Sequence, residues 1–294
     1  MKRKQSGFKI MMRLIKLVKP LAFFMVLAVI LGVTGFLCAI QITVVGSMTL
    51  LTAAGINGGL AIKTGCICII IFAVLRGFLH YGEQACNHYI AFKLLALIRD
   101  KVFKSLRRLT PAKLEGKDKG NLISLITSDI ELLEVFYAHT ISPICIAFLT
   151  SLVMLIFIGR YSIWLMLVAL AAYITVGIII PLVSSKFNKN IGMTYRENSG
   201  ALSGYVLDSM RGLLESIRYN STDTRLNEMN EKTDELNSLQ KKLKKIEGHN
   251  ISITDISIIF FSITMLLVAI CLYQKGTIGF DGLIVSTVAM MSSF

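Results

Sequence analysis

Four polar side chains interrupt an otherwise apolar stretch of this chain: Arg76, His80, Glu83 and Asn87, separated by four, three and four residues. Such spacing puts them on one stripe of a helix. A charged side chain at membrane depth is costly and normally faces a water-filled space or a partner. Two readings follow. In one, the stripe is a polar wall, with Arg76 meeting a carboxylate and Glu83 an amino group of a small molecule. In the other, Arg76 and Glu83 pair internally or snorkel to the inner headgroups. His139 and Asp255, the latter beside Ser252 and Thr254, would line the inner mouth of the same space or sit in the interface with water in reach. The spacing of His80 and His88 favours a polar helix face over haem ligation. No Ser-His-Asp set, paired carboxylates or metal-ligand spacing is present, so neither catalytic nor metal-binding residues are expected.

The elements that position these residues follow from composition. The chain has 294 residues, 54% of them hydrophobic, and a mean hydropathy of +0.67, outside the range of ordinary soluble domains. Apolar runs of spanning length occur at about 21–42, 60–79, 141–158, 163–183 and 251–272. A sixth starts at 278 and reaches 294 without the full length of a span, which reads as a last helix cut short. Lys63 and Arg76 lie near the two ends of the second run, and Pro181 lies near the end of the fourth.

A net charge of +13 raises the question of nucleic acid, and its distribution answers it. Lys2, Arg3, Lys4, Lys9, Arg13, Lys16 and Lys19 precede the first run, and most other basic residues follow the second and fourth. Apart from Arg160 and Lys275, the alternate connections carry almost none. This positive-inside bias predicts a multi-pass plasma-membrane protein (a bacterial inner membrane) with a cytosolic N-terminus. Acidic lipid headgroups are then sufficient partners for the basic residues, and no nucleic-acid role is expected. Cys38, Cys66, Cys68, Cys86, Cys145 and Cys271 lie in or beside spans without C-x-x-C spacing and read as buried thiols. The first apolar run is too long for a signal peptide and reads as a retained anchor.

Taken in order, residues 1–19 form a basic N-terminal segment whose Phe8–Lys19 part is amphipathic and lies in the interface. Residues 20–294 form one membrane domain. Gly55, Gly58 and Gly59 turn the chain into the second span, whose helical pattern continues through Tyr89, Leu94, Ile98 and Leu106 with no breaker before Thr110-Pro111. The stretch 109–134 reads as helix, tight turn and helix on the cytosolic side. Pro143 is placed to kink the return helix. The fourth span continues through Lys186 to Asp208. A helix from Thr222 to Glu247 returns, carrying Met229, Leu236 and Leu243 seven apart with Leu239 and Ile246 between them, a coiled-coil-like seam. The fold class is therefore an all-α membrane protein of six spanning helices with long cytosolic extensions.

At these residues the chain resembles the transmembrane domain of an ATP-binding-cassette exporter of the type 1 (type IV) fold. The likeness rests on Leu114, Gly120, Leu122-Ile123 and Asp129 in the first intracellular loop, and on Gly212, Leu213, Leu214, Ile217 and Tyr219 in the second. The resemblance implies two coupling helices, 111–120 and 211–219, that dock on nucleotide-binding domains. Pro111, Leu114, Gly120, Asp129, Arg211, Gly212, Leu213, Leu214, Ile217 and Tyr219 would then couple the domains. The closing stretch is similar to the start of the family's sixth helix, and its wording leans towards exporters of cysteine and glutathione linked to cytochrome bd assembly.

The departure is the motor. No G-x-x-x-x-G-K-[ST] loop occurs in the chain, so it cannot cradle ATP by itself. ATP and Mg are expected on a nucleotide-binding domain, fused or separate, and a second transmembrane half is expected as a homodimer or heterodimer partner within the bilayer. The resemblance thus implies the permease part of an ATP-driven exporter of a small thiol, amino acid or peptide. The alternatives are an ion-coupled secondary transporter, which predicts short loops and acids on several spans, or a non-transporting membrane scaffold, which predicts no polar stripe.

Overall fold

Ala22–Ala53 contains no ionisable residue other than Cys38, and the hydroxyls of Thr34, Thr43, Ser47, Thr49 and Thr52 bond back to carbonyls of the helix itself rather than to partners outside it. It forms one helix of 32 residues, α1, entered through a 3₁₀ turn at Lys19–Leu21 that contains Pro20. The computed structural model describes residues 19–56, 59–109 and 136–294. The amphipathic segment expected before Lys19 and the first coupling segment, with Pro111, Leu114, Gly120 and Asp129, lie outside the described residues.

Helix α2 runs unbroken from Ile62 to Leu109, 48 residues or about 72 Å, ending next to Thr110-Pro111. Next come α3 (Ser142–Gly159), α4 (Ile163–Ile174), α5 (Ile180–Arg211), α6 (Leu213–Arg218), α7 (Thr222–Gln274) and α8 (Phe280–Met291). Five helical stretches are long and apolar enough to cross a membrane, and α8 is a shorter apolar helix of 12 residues. No strand occurs among the described residues.

Two prolines shape this layout. Pro143 and Pro181 each follow a single π-helical turn, Tyr137–Ile141 and Thr175–Ile179, by two residues. In a regular helix the ring would clash with the carbonyl four residues back and remove one ladder bond. The wider turn accommodates both effects while the helix continues.

The chain divides into two compact units, residues 1–166 with 265–294, and residues 167–264. In the first, α1 and α2 pack closely where side chains are small. A Cβ at Gly65 would run into Thr49, and one at Gly82 would lie 3.1 Å from Leu31. Close approach through small residues is how helices associate in lipid, where no hydrophobic force separates helix from acyl chain. α3 turns one face inward through Ser142, Ile146, Thr150, Met154 and Ile158, every fourth residue. Leu21, Ile90 and Leu94 form a small core with Phe24, Met25, Phe136 and Ile141 packed on it.

In the second unit, α5 and α7 are the legs of a hairpin closed by α6. Half-buried positions on α5 fall at Ser184, Ile191, Tyr195, Asn198, Leu202, Tyr205 and Ser209. On α7 they include Met229, Leu236, Leu239, Leu243, Ile246 and Asn250. Spacings of three, four and seven make this a coiled-coil seam. The side-chain bonds fix its register. Ser184 to Asn250 and Ser209 to Arg225 each join residues equally far from Ile217.

Candidate functional site

The polar stripe of α2 splits in the structure. Glu83 is only 5% exposed and Asn87 only 2%, whereas Arg76 and His80 are exposed. Glu83 lies against α1 at Gly32, where an added Cβ would stand 3.5 Å from its carboxyl carbon and would run into Ile146 of α3. Gly32 is therefore the position that admits Ile146 of α3 next to the carboxylate. Glu83 Oε1 accepts a hydrogen bond from Asn87 Nδ2 at 3.2 Å, and Oε2 lies 3.1 Å from His80 Nδ1. Arg76 makes no ion pair among the described residues, so the stripe is His-Glu-Asn in its contacts. Among the described residues the unit also buries the side-chain oxygens Asn87 Oδ1, Ser142 Oγ and Thr150 Oγ1 without a hydrogen-bond partner. Each such atom carries a desolvation penalty.

His139 lies in the π turn before α3, exposed, with its ring 6.1 Å from that of His88 and edge-on to it. His88 also stacks on Phe92 at 5.9 Å. Asp255 is exposed on α7 in the other unit. Among the described residues no three His, Cys, Asp or Glu side chains gather as metal ligands.

The second site is the tip of the α5–α7 hairpin. Gly212 interrupts the helix and α6 restarts for six residues. Ser216, buried, donates through its hydroxyl to Gly212 O at 3.0 Å and accepts at its carbonyl from the Ser221 backbone N–H at 2.9 Å. Asn220, with φ of 51°, supplies the left-handed residue that this closure requires and that asparagine tolerates better than most. What the turn presents outward is apolar: Leu213 is 50% exposed, Leu214 73%, Ile217 58% and Tyr219 82%, with Met210 beside them. Arg211 and Arg218 flank this patch. A patch of this kind on an otherwise charged hairpin marks a contact surface.

The tip is held by a clamp that sequence reading passed over. Tyr205 Oη donates to Glu228 Oε2 at 2.7 Å and lies 3.3 Å from Arg225 O. Arg225 donates to Ser209 Oγ at 3.2 Å, and the Lys232 ammonium sits 5.5 Å from the Tyr205 ring centre. The hydrogen bond to Glu228 favours the neutral phenol and raises the Tyr205 pKa. The signal available in the sequence was symmetry: Tyr205 and Glu228 are nearly equidistant from the middle of the turn.

These features can be set beside known proteins. The chain matches the family described as ABC transporter transmembrane region over residues 21–294. It is 42% identical over 291 residues to a Haemophilus influenzae protein named "Probable ABC transporter ATP-binding/permease protein", covering 99% of this chain and 53% of that protein. It is 23% identical over 176 residues to the glutathione/L-cysteine transport system ATP-binding/permease protein CydC of the same organism, covering 60% and 31%. It is 24% identical over 183 residues to the ATP-dependent lipid A-core flippase of Shewanella denitrificans, covering 62% and 30%. The chain thus spans about half the length of the first of these relatives and under a third of the other two.

Proposed function

The chain belongs to the family of ABC transporter transmembrane regions, and on that premise we propose that it forms the membrane-spanning half of an ATP-driven exporter. The observation that carries the reading is the tip of the α5–α7 hairpin. Leu213, Leu214, Ile217 and Tyr219 stand exposed on a short helix that is clamped at its base by Tyr205, Arg225 and Glu228. A rigid apolar knob is what a soluble partner needs to push on. The partner is a nucleotide-binding domain carrying ATP and Mg, fused or separate, and the ATP-binding/permease names of the relatives support it. The segment 111–120 would form the matching contact.

In this mechanism ATP binding draws two such domains together, the knobs follow, and the membrane helices pass from an inward-open to an outward-open arrangement. A shift from 1:99 to 99:1 takes about 5.5 kcal/mol of differential binding. Six helices give only one wall of a pathway, so a second transmembrane half completes it. The positive-inside bias of the basic residues supports a cytosolic hairpin tip and N-terminus. The relatives' names direct the substrate search to small thiols such as cysteine and glutathione, with amphiphilic lipids second. His80 and Arg76, exposed on α2, are the polar groups offered to a substrate, while Glu83 and Asn87 set the helix packing behind them.

The test is co-purification of the full-length gene product from detergent-solubilised membranes, followed by an ATPase assay. Recovery of ATPase activity that is lost on replacing Leu213, Leu214 and Ile217 together by serine supports the reading. An intact protein without ATPase activity, or activity indifferent to the triple replacement, overturns it.

A further inference from the structure

Inside the second unit, α5 and α7 leave a groove of about 940 Å³ beside Ser184 and Asn250. One wall is aliphatic, with Ile179, Ile180, Val183 and Ile191 from the α5 side facing Ile246 and Ile253 of α7. Lys245 and His249, one turn apart on α7 and ahead of Ile253, supply basic and polar groups to the same lining. Asn250 Nδ2 donates to Ser184 Oγ and ties the two legs together beside it. Among the described residues none that lines the groove is acidic. Glu247, the acid nearest in sequence, is already paired with Lys244 at 2.7 Å.

The groove lies where α7 changes character. Lys241, Lys242, Lys244 and Lys245 end just before the apolar run that starts at Ile251. An aliphatic slot that opens at a membrane boundary under a cationic rim matches a molecule with an acyl chain and an anionic head. We propose that this groove binds an acidic phospholipid of the cytosolic leaflet, its chain along Ile179, Val183 and Ile253 and its phosphate at Lys245 and His249. The lipid would brace the two legs of the hairpin as a third element. This inference rests on the membrane orientation proposed above and is independent of the coupling role of α6.

The experiment is native mass spectrometry of the full-length protein titrated with phosphatidylglycerol or phosphatidylcholine. Phosphatidylglycerol should be retained in preference. Lys245→Gln should weaken that retention about fivefold, the effect of one basic group near a headgroup. Lys242→Gln, the same change outside the groove, should leave it unaltered, and Val183→Trp, which fills the slot from an exposed position, should abolish retention of both lipids. Equal retention of the two lipids overturns the proposal, as does an equal loss in Lys245→Gln and Lys242→Gln. So does a cysteine at Val183 that cross-links to a second copy of the chain while lipid retention stays constant. Loss of the ATPase partner with selective lipid retention intact would sink the transport reading alone.

Discussion

Replacing Glu83 by glutamine should stabilise the unit that holds it, and replacing it by leucine should do the opposite. In the native chain Glu83 uses the Asn87 amide as a donor, which leaves Asn87 Oδ1 buried without a partner. A glutamine at 83 carries its own N–H₂. Its carbonyl oxygen can keep the bond from Asn87 Nδ2 while its N–H₂ faces His80 Nδ1. What changes is the charge: Glu83 is 5% exposed, and a neutral amide there needs less hydration than a carboxylate, which should stabilise the unit by about 1–3 kcal/mol. Leucine, of similar bulk, strips Asn87 of its only partner and leaves both ends of the amide unsatisfied, costing about 1–3 kcal/mol more than wild type. For a unit of this size each kcal/mol moves the melting temperature by about 2–4 °C. A fluorescence melt in detergent at one scan rate should therefore rank glutamine above wild type and wild type above leucine. A fall in melting temperature for Glu83→Gln, or leucine equal to wild type, would refute the account of this cluster. Transport by the stable glutamine variant then tells whether the carboxylate has a second use.

Three further outcomes are expected. Gly32→Ala drives a methyl group into Ile146 Cδ1 and Cγ1 and should cost about 1–3 kcal/mol by overpacking, and Ile146→Val, which removes Cδ1, should restore part of it in a double variant measured by the same melt. Leu214→Ser removes a side chain that is 73% exposed in the free chain, and burial of that surface at a partner is worth about 2 kcal/mol, so binding to an added nucleotide-binding domain should weaken about 30-fold by titration. The pKa of Tyr205 is raised, so its clamp contributes fully below the ordinary phenol pKa of about 10 and is lost as pH rises through the higher folded value. A phenolate difference titration of wild type against Tyr205→Phe should show one tyrosine ionising late, and a titration at the ordinary value would refute the clamp.

The long helices were the most legible part of the chain, for simple reasons. From Ile62 to Leu109 no residue breaks a helix, and Thr110-Pro111 follows immediately. The return helix was read as two pieces, 222–247 and 251–272, yet it is one helix because Gly248 costs only about 1 kcal/mol against Ala and strong helix formers flank it. The π turns ahead of Pro143 and Pro181 could not be read, since they are one of several ways to accommodate proline. Spacing found the stripe Arg76, His80, Glu83 and Asn87 but not its division, because which edge is covered depends on Gly32 and Ile146 from other helices. The Tyr205 clamp was hidden for a related reason: its members meet only after α6 fixes the hairpin register.

That hairpin has unequal legs. α7 runs 53 residues, about 80 Å along the helix, without a proline or a π turn, whereas the leg leading into α5 contains the π turn at Thr175–Ile179 and Pro181. Bending therefore concentrates at one joint, about 57 Å along the helix from the tip at Ile217, and the tip amplifies it: a rotation of about 5° at the joint moves the tip by about 5 Å. Ile179 and Ile180 stand both at this joint and in the lining of the groove. Any displacement of Leu214 would thus arrive, geared down, beside that groove, and the stiffness of that one joint would set how much of it is kept.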